Sequence, residues 1–149
     1  MSHVVRDPDF EARVRTSFAK QRFMSTLGAR LESVAPGEVT IAISFNEALT
    51  QQHGFLHAGA VTAVIDSACG YAGLSLMEPG AAVLAVEFKV NLLAPAAGRE
   101  FLAIGRVARA GRTLSVCTGE MRVLDDGRNT VVAMVQGTMM SVRGKDLVD

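Results

Sequence analysis

Residues 51–77 read QQHGFLHAGAVTAVIDSACGYAGLSLM, and this stretch decides how the rest of the chain must be arranged. From Gly59 or Ala60 to Met77 nearly every position is apolar, a run too long for one strand, while Thr62, Asp66 and Cys69 keep helical spacing on one face. A helix apolar nearly all round is expected to be buried nearly all round. Gly70 and Gly73 each weaken its propensity by roughly 1 kcal/mol relative to alanine, so packing must compensate, and small residues let another backbone come close. Asp66 is the only carboxylate between Glu47 and Glu78. Set among Val64, Ile65, Ala68 and Cys69, it is either a paired structural group or a working acid/base, because isolated buried carboxylates are costly unless they find donors or shift their pKa.

Upstream, Asp7 and Pro8 form a helix-start signature, and Phe10, Val14 and Phe18 recur every four residues, predicting an amphipathic helix to about Met24 that Gly28 ends. A short strand is expected over 29–34, a turn at Pro36 and Gly37, and a half-buried strand where Val39, Ile41, Ile43 and Phe45 alternate with polar or small residues. Residues 46–54 read as loop. Downstream, Glu78, Pro79 and Gly80 break the long helix, and strands follow at 83–93, 100–110, 113–124 and 130–142, with Gly111 and Arg112 as a hairpin signal. One long apolar helix suits a curved antiparallel sheet wrapped around it, an α+β fold. The strand at 83–93 is apolar on one face, so an exposed edge there would invite a second subunit, and at least a dimer is expected. No repeat or composition break divides the 149 residues, which read as a single domain: helical segment 1–26, core 27–142 and tail 143–149.

Lysine plus arginine equal aspartate plus glutamate, so no basic field attracts nucleic acid. Cys69 and Cys117 lie far apart without CxxC spacing, which reads as packing in a reducing, cytoplasmic compartment. The first fifteen residues carry both charge signs where a signal peptide needs an apolar run. Phe55 to Met77 nearly has the length of a membrane span, but a central Asp costs about 2.5–3.5 kcal/mol on insertion scales, so a core helix fits better.

The loop and helix QQHGFLHAGAVTAVIDSACGYAG, the strand VEFKVNLLAPA and the turn GRT together resemble the hot-dog fold thioesterases of the PaaI type, over about residues 27–142. The resemblance implies a sheet wrapped around a central helix, assembly as a homodimer or homotetramer, and hydrolysis of acyl-CoA thioesters, with coenzyme A part of the substrate and no separate cofactor. Gln51 stands where that family has Asn, Gly54, His57 and Gly59 match, Ala58 replaces the first Gly of a pair, and Asp66 falls on the catalytic carboxylate. Ala85 occupies a position where family members often carry Ser or Thr.

Thioester hydrolysis needs a polariser for the carbonyl and either a base for water or a carboxylate nucleophile. Backbone N–H groups at a helix start are unsatisfied, so those of Ala58 and Gly59 suit the first task, and Asp66 suits the second as base or nucleophile. His57 is expected to fix the loop. His53, His57 and Asp66 lack the pattern of a metal site, so no metal is expected. Cys69 reads as core packing. Gly54, Phe55, Leu56 and Ala85 are candidate substrate contacts, with Phe55, Leu56, Tyr71, Met77 and Leu84 core residues first and acyl-pocket walls second. Arg106, Arg109 and Arg112, with Arg143 and Lys145, are either a solvated face or, for Arg109 and Arg112 above all, partners of the coenzyme A phosphates. Two other functions fit the same resemblance: a hydratase or dehydratase of acyl thioesters, and a non-catalytic acyl-CoA-binding regulator. The paucity of large aromatics leans toward short, medium or aryl acyl groups.

Overall fold

The computed structural model describes residues 3–144 and Leu147. The predicted apolar run forms helix α3, Ala58–Leu74. Before it come α1 (Phe10–Lys20), α2 (Arg22–Thr26), β1 (Arg30–Ala35) and β2 (Glu38–Ser44). After it come β3 (Ala82–Leu92), β4 (Glu100–Ala110), β5 (Leu114–Asp125) and β6 (Arg128–Val142). All six strands form one antiparallel sheet in the order β1-β2-β4-β5-β6-β3, so β1 and β3 are its edges.

The strands alternate as a sheet with one covered face must. In β4, Phe101, Ala103 and Val107 point inward, and in β5 Cys117, Met121 and Val123 do the same, all against α3. Two glycines paired across these strands, Gly105 and Gly119, set how close the helix comes. A Cβ on Gly105 would run into the Ala68 carbonyl and the Cys69 nitrogen, and one on Gly119 would meet Ile65 and lie 2.7 Å from Cys69 Sγ. The helix therefore rests backbone to backbone on the sheet centre, directly behind Asp66.

The N-terminal helix departs from expectation. Asp7 Oδ1 accepts from Asp9 N–H at 2.9 Å, a local turn that delays the helix to Phe10, and Gln21, with extended backbone at φ −79° and ψ 95°, splits the predicted single helix into α1 and α2. The expectation that α3 is covered all round also needs correction: Gly59, Thr62, Ala63, Asp66, Ser67 and Gly70 form a stripe that stays partly or fully exposed. These residues are small or polar, and they lie on the side away from the glycine bed.

Arg13 of α1 latches the N-terminal segment to the far end of α3. Its guanidinium donates to the carbonyls of Leu74 (2.8 Å), Met77 (2.9 Å) and Glu78 (2.7 Å) and lies 3.3 Å from the Asp7 carboxylate. Cations are favoured at helix C-termini, where the last carbonyls lack partners. Ser75 ties the same end to the β1–β2 turn, accepting from Gly37 N–H at 2.8 Å and donating to Ala72 O at 2.7 Å.

Candidate active site

Helix α3 begins at His57, whose extended backbone and side chain cap it: His57 Nδ1 accepts from Gly59 N–H at 2.8 Å. Nδ1 is thus the unprotonated ring nitrogen, and Gly59 is the residue that fits beneath it, since a Cβ there would lie 3.0 Å from Nδ1. Of the two backbone donors expected at this helix start, Gly59 N–H is taken by the cap, and Ala58 N–H has no acceptor among the described residues. Gln51 serves the preceding loop. Its side-chain oxygen accepts from His53 N–H, its carbonyl from Gly54 N–H at 3.0 Å, and its N–H donates to Phe55 O at 2.9 Å. Gly54 closes this turn at φ +81°, in the left-handed region that favours glycine.

Asp66 lies two turns further along α3, half-buried. Its Oδ1 is sealed from solvent and accepts no hydrogen bond among the described residues, and burial holds its pKa above the ordinary carboxylate range. The reading in which Asp66 is a structural hydrogen-bond partner of the loop finds no donor at this oxygen. Two hollows meet at the carboxylate. The inner one, about 170 Å³, is walled by Tyr71, Leu84, Ala85 and Met139, among others. The outer one, about 540 Å³, opens beside Ala58, Gly59, Phe23 and Phe88. Asp66, Gln21 and Ser67 line both, so they form the neck between them. On β3, Ala85 and Glu87 flank a bulge in the pairing with β6, at the rim of the inner hollow.

Asp66, Ala58, Gly59, Ala85, Tyr71 and Leu84 are therefore brought together, with His57 bracing the helix start. Gln51, Gly54 and Phe55 belong to the loop before α3, and Leu56 is buried in the core. Arg109 and Arg112 line other hollows, with Arg6, Leu76 and, beside Arg112, Met77 and Arg143. These lie past the C-terminal end of α3, about 12 Å or more along the helix from Asp66 by its rise of roughly 1.5 Å per residue. Lys145 falls outside the described residues. Among the described residues no group of His, Cys, Asp and Glu is placed to hold a metal ion. Cys69 and Cys117 are buried free thiols, their pKa values pushed up by burial, to about 12 for Cys117.

Sequence reasoning missed Ser17, Gln21, Ser67 and Met139 as neighbours of Asp66. One signal was available for Gln21. The apolar series Phe10, Val14, Phe18 continues onto Arg22, a charge where the helix needs an apolar residue, so the helix must break just before it.

A family model for the thioesterase superfamily matches residues 53–130, the span from the loop before α3 into the start of β6. The chain belongs to the thioesterase superfamily. Among solved structures, a thioesterase family protein from Silicibacter pomeroyi is 50% identical, covers 91% of this chain and 99% of its own, and superposes with a TM-score of 0.89. The PaaI protein of the Escherichia coli phenylacetic acid degradation operon, at 20% identity, shares the fold with a TM-score of 0.80 over 95% of this chain and 98% of its own. A Halobacterium salinarum protein with a provisional esterase assignment is 31% identical over 91% of this chain and 94% of its own length. The architecture is the hot-dog fold of PaaI-type thioesterases.

Proposed function

We propose that this thioesterase hydrolyses acyl-CoA thioesters with Asp66 as the reacting carboxylate. The observation that carries the proposal is a half-buried carboxylate at the junction of two hollows with one oxygen sealed and unpartnered among the described residues, its pKa raised by burial above the ordinary carboxylate range. The acyl group enters the inner hollow and the thiol arm leaves through the outer one. Ala58 N–H, at the positive end of the α3 dipole, polarises the carbonyl oxygen.

In the general-base route Asp66 takes a proton from water as the water oxygen bonds to the carbonyl carbon. The C–S bond then breaks, and the proton passes to the leaving sulfur, giving free acid and thiol. In the nucleophile route the carboxylate attacks the carbonyl carbon, the C–S bond breaks and the sulfur leaves as thiolate to be protonated by solvent, and water then hydrolyses the resulting anhydride to free acid and regenerated Asp66. For scale, an apolar cavity of roughly 150 Å³ admits benzene, so an inner hollow of this size suits short acyl chains or a single ring. Arg109 and Arg112 stand past the opposite end of α3 from the outer hollow, off this path, so no coenzyme A contact is assigned to them within one chain. A second copy of the chain pairs along the β3 edge, where Leu84, Val86, Phe88 and Leu92 are exposed.

The test is thiol release across a panel of acyl-CoAs by the wild type and Asp66→Asn, with particle mass followed by light scattering. Turnover that collapses in Asp66→Asn at unchanged mass is expected, and turnover that survives the substitution refutes the role of Asp66. Label in the enzyme carboxylate after a single turnover in ¹⁸O-water establishes the nucleophile route, since it arises only when water attacks the Asp66 carbon of the anhydride.

A further inference from the structure

Three residues line both hollows at the neck, and two of them, Gln21 and Ser67, belong to no motif. Ser67 follows Asp66 on α3, and its hydroxyl donates to Gln21 Oε1 at 3.3 Å. Gln21 reaches this place because its backbone is extended where α1 stops and α2 starts. The segment that delivers it is fixed at its other end by Arg13 on the carbonyls of Leu74, Met77 and Glu78, and along its length by the edge-on contact of Phe18 with Tyr71, 5.8 Å between ring centres. An amide and the carboxylate thus line the same two hollows, where a thioester with its acyl group in one and its thiol arm in the other has its carbonyl.

We propose that Gln21, tethered through Ser67, is a positioning residue for the thioester: its amide holds the reacting carbonyl at the neck, within reach of Asp66. The assignment rests on the thioester hydrolysis proposed above. With the amide oxygen occupied by Ser67, the amide N–H groups are the donors offered to the substrate, a second polar contact beside Ala58 N–H. Among the described residues Asp66 is the only carboxylate lining either hollow, and Tyr71 is the other titratable side chain there. The N-terminal segment thereby becomes part of the site.

The experiment compares wild type, Gln21→Ala, Ser67→Ala and the double variant in steady-state thiol release on the best acyl-CoA of the panel. Misplacing a reacting group by about 1 Å costs about 100-fold, so Gln21→Ala is expected to lower kcat by about 10- to 100-fold while KM changes by less than about threefold. Because Ser67 acts through Gln21, adding Ser67→Ala to Gln21→Ala should lower kcat no further. A Gln21→Ala enzyme with wild-type kcat, a loss confined to KM, or single effects that multiply in the double variant overturns the proposal while leaving Asp66 hydrolysis intact. A wild type that releases no thiol from any acyl-CoA overturns the hydrolysis and this assignment together. Gln21→Glu guards against a folding defect in the alanine variant. A carboxylate facing Asp66 across the neck must move the acid limb of the pH–rate profile upward, and an unmoved limb with unchanged kcat overturns the proposal.

Discussion

Replacing Arg13 by alanine removes the latch between α1 and the end of α3, and its cost can be worked from the contacts. Each hydrogen bond from a charged donor is worth roughly 1.5–3 kcal/mol, but the bond to Glu78 O is exposed and water replaces it at little loss. The bonds to Leu74 O and Met77 O are partly buried, and the Asp7 carboxylate, about nine-tenths buried, would keep only Asp9 N–H. Against this stands the buried Arg13 Nε, which has no partner and contributes a desolvation cost that the substitution relieves. The balance is about 3 kcal/mol, at the low end of the 3–5 kcal/mol typical for breaking a buried pair by removing one member. For a chain of this length that corresponds to a Tm lower by about 6–12 °C. Urea unfolding at fixed protomer concentration, with Asp7→Ala and the double variant completing a cycle, measures both the loss and the coupling. A loss below about 1 kcal/mol would show a solvated surface pair and remove the argument that Arg13 anchors the N-terminal segment.

Asp66→Asn should raise stability at neutral pH even as it abolishes turnover. Burial raises the folded-state pKa, so the ionised form opposes folding: the wild type is unpenalised below the ordinary carboxylate range and loses stability as pH rises through the raised value. Thermal unfolding of the two proteins should coincide at acid pH and separate above it, and a wild type that gains stability over this window relative to the variant refutes the sign. Gly105→Ala should cost about 1–3 kcal/mol or more by overpacking against the Ala68 and Cys69 backbone, whereas Gly70→Ala, with open space at its Cβ, should be neutral or stabilising; denaturant midpoints decide. Cys69 and Cys117 should resist colorimetric thiol reagents in the native protein and react once it is unfolded, because both are buried with raised pKa values. Rapid native labelling would contradict that burial.

The central helix was legible because a seventeen-residue run in which only Thr62, Asp66 and Ser67 are polar admits one solution, and β2 because Val39, Ile41 and Ile43 alternate with Thr40 and Ala42. Asp66 stood out for the same reason, as a charge where the pattern permits none. Gln21 and Ser67 did not, since their importance comes from a chain break and a contact between residues 46 positions apart, neither of which is a local property. The partition of the helix-start donors was hidden in the same way: only the His57 rotamer shows that Gly59 N–H is occupied. Arg109 and Arg112 sit near Asp66 in no sequence sense, and the fold sets them past the other end of α3.

The glycine bed under α3 separates two things that enzymes usually have to change together. Because the helix meets Gly105 through the main-chain atoms of Ala68 and Cys69, and Gly119 only through the Ile65 and Cys69 side chains, the height of the carboxylate above the sheet is set largely by peptide geometry at the Gly105 contact. Beside α3's own Ser67, Gly70 and Tyr71 and Met139 of β6, the walls of the inner hollow come from α1, the α1–α2 break and β3. Redesign for a larger or smaller acyl group can therefore alter Ser17, Leu84 or Ala85 while the reacting oxygen keeps its position, so substrate range and catalytic competence become separately adjustable quantities in this scaffold.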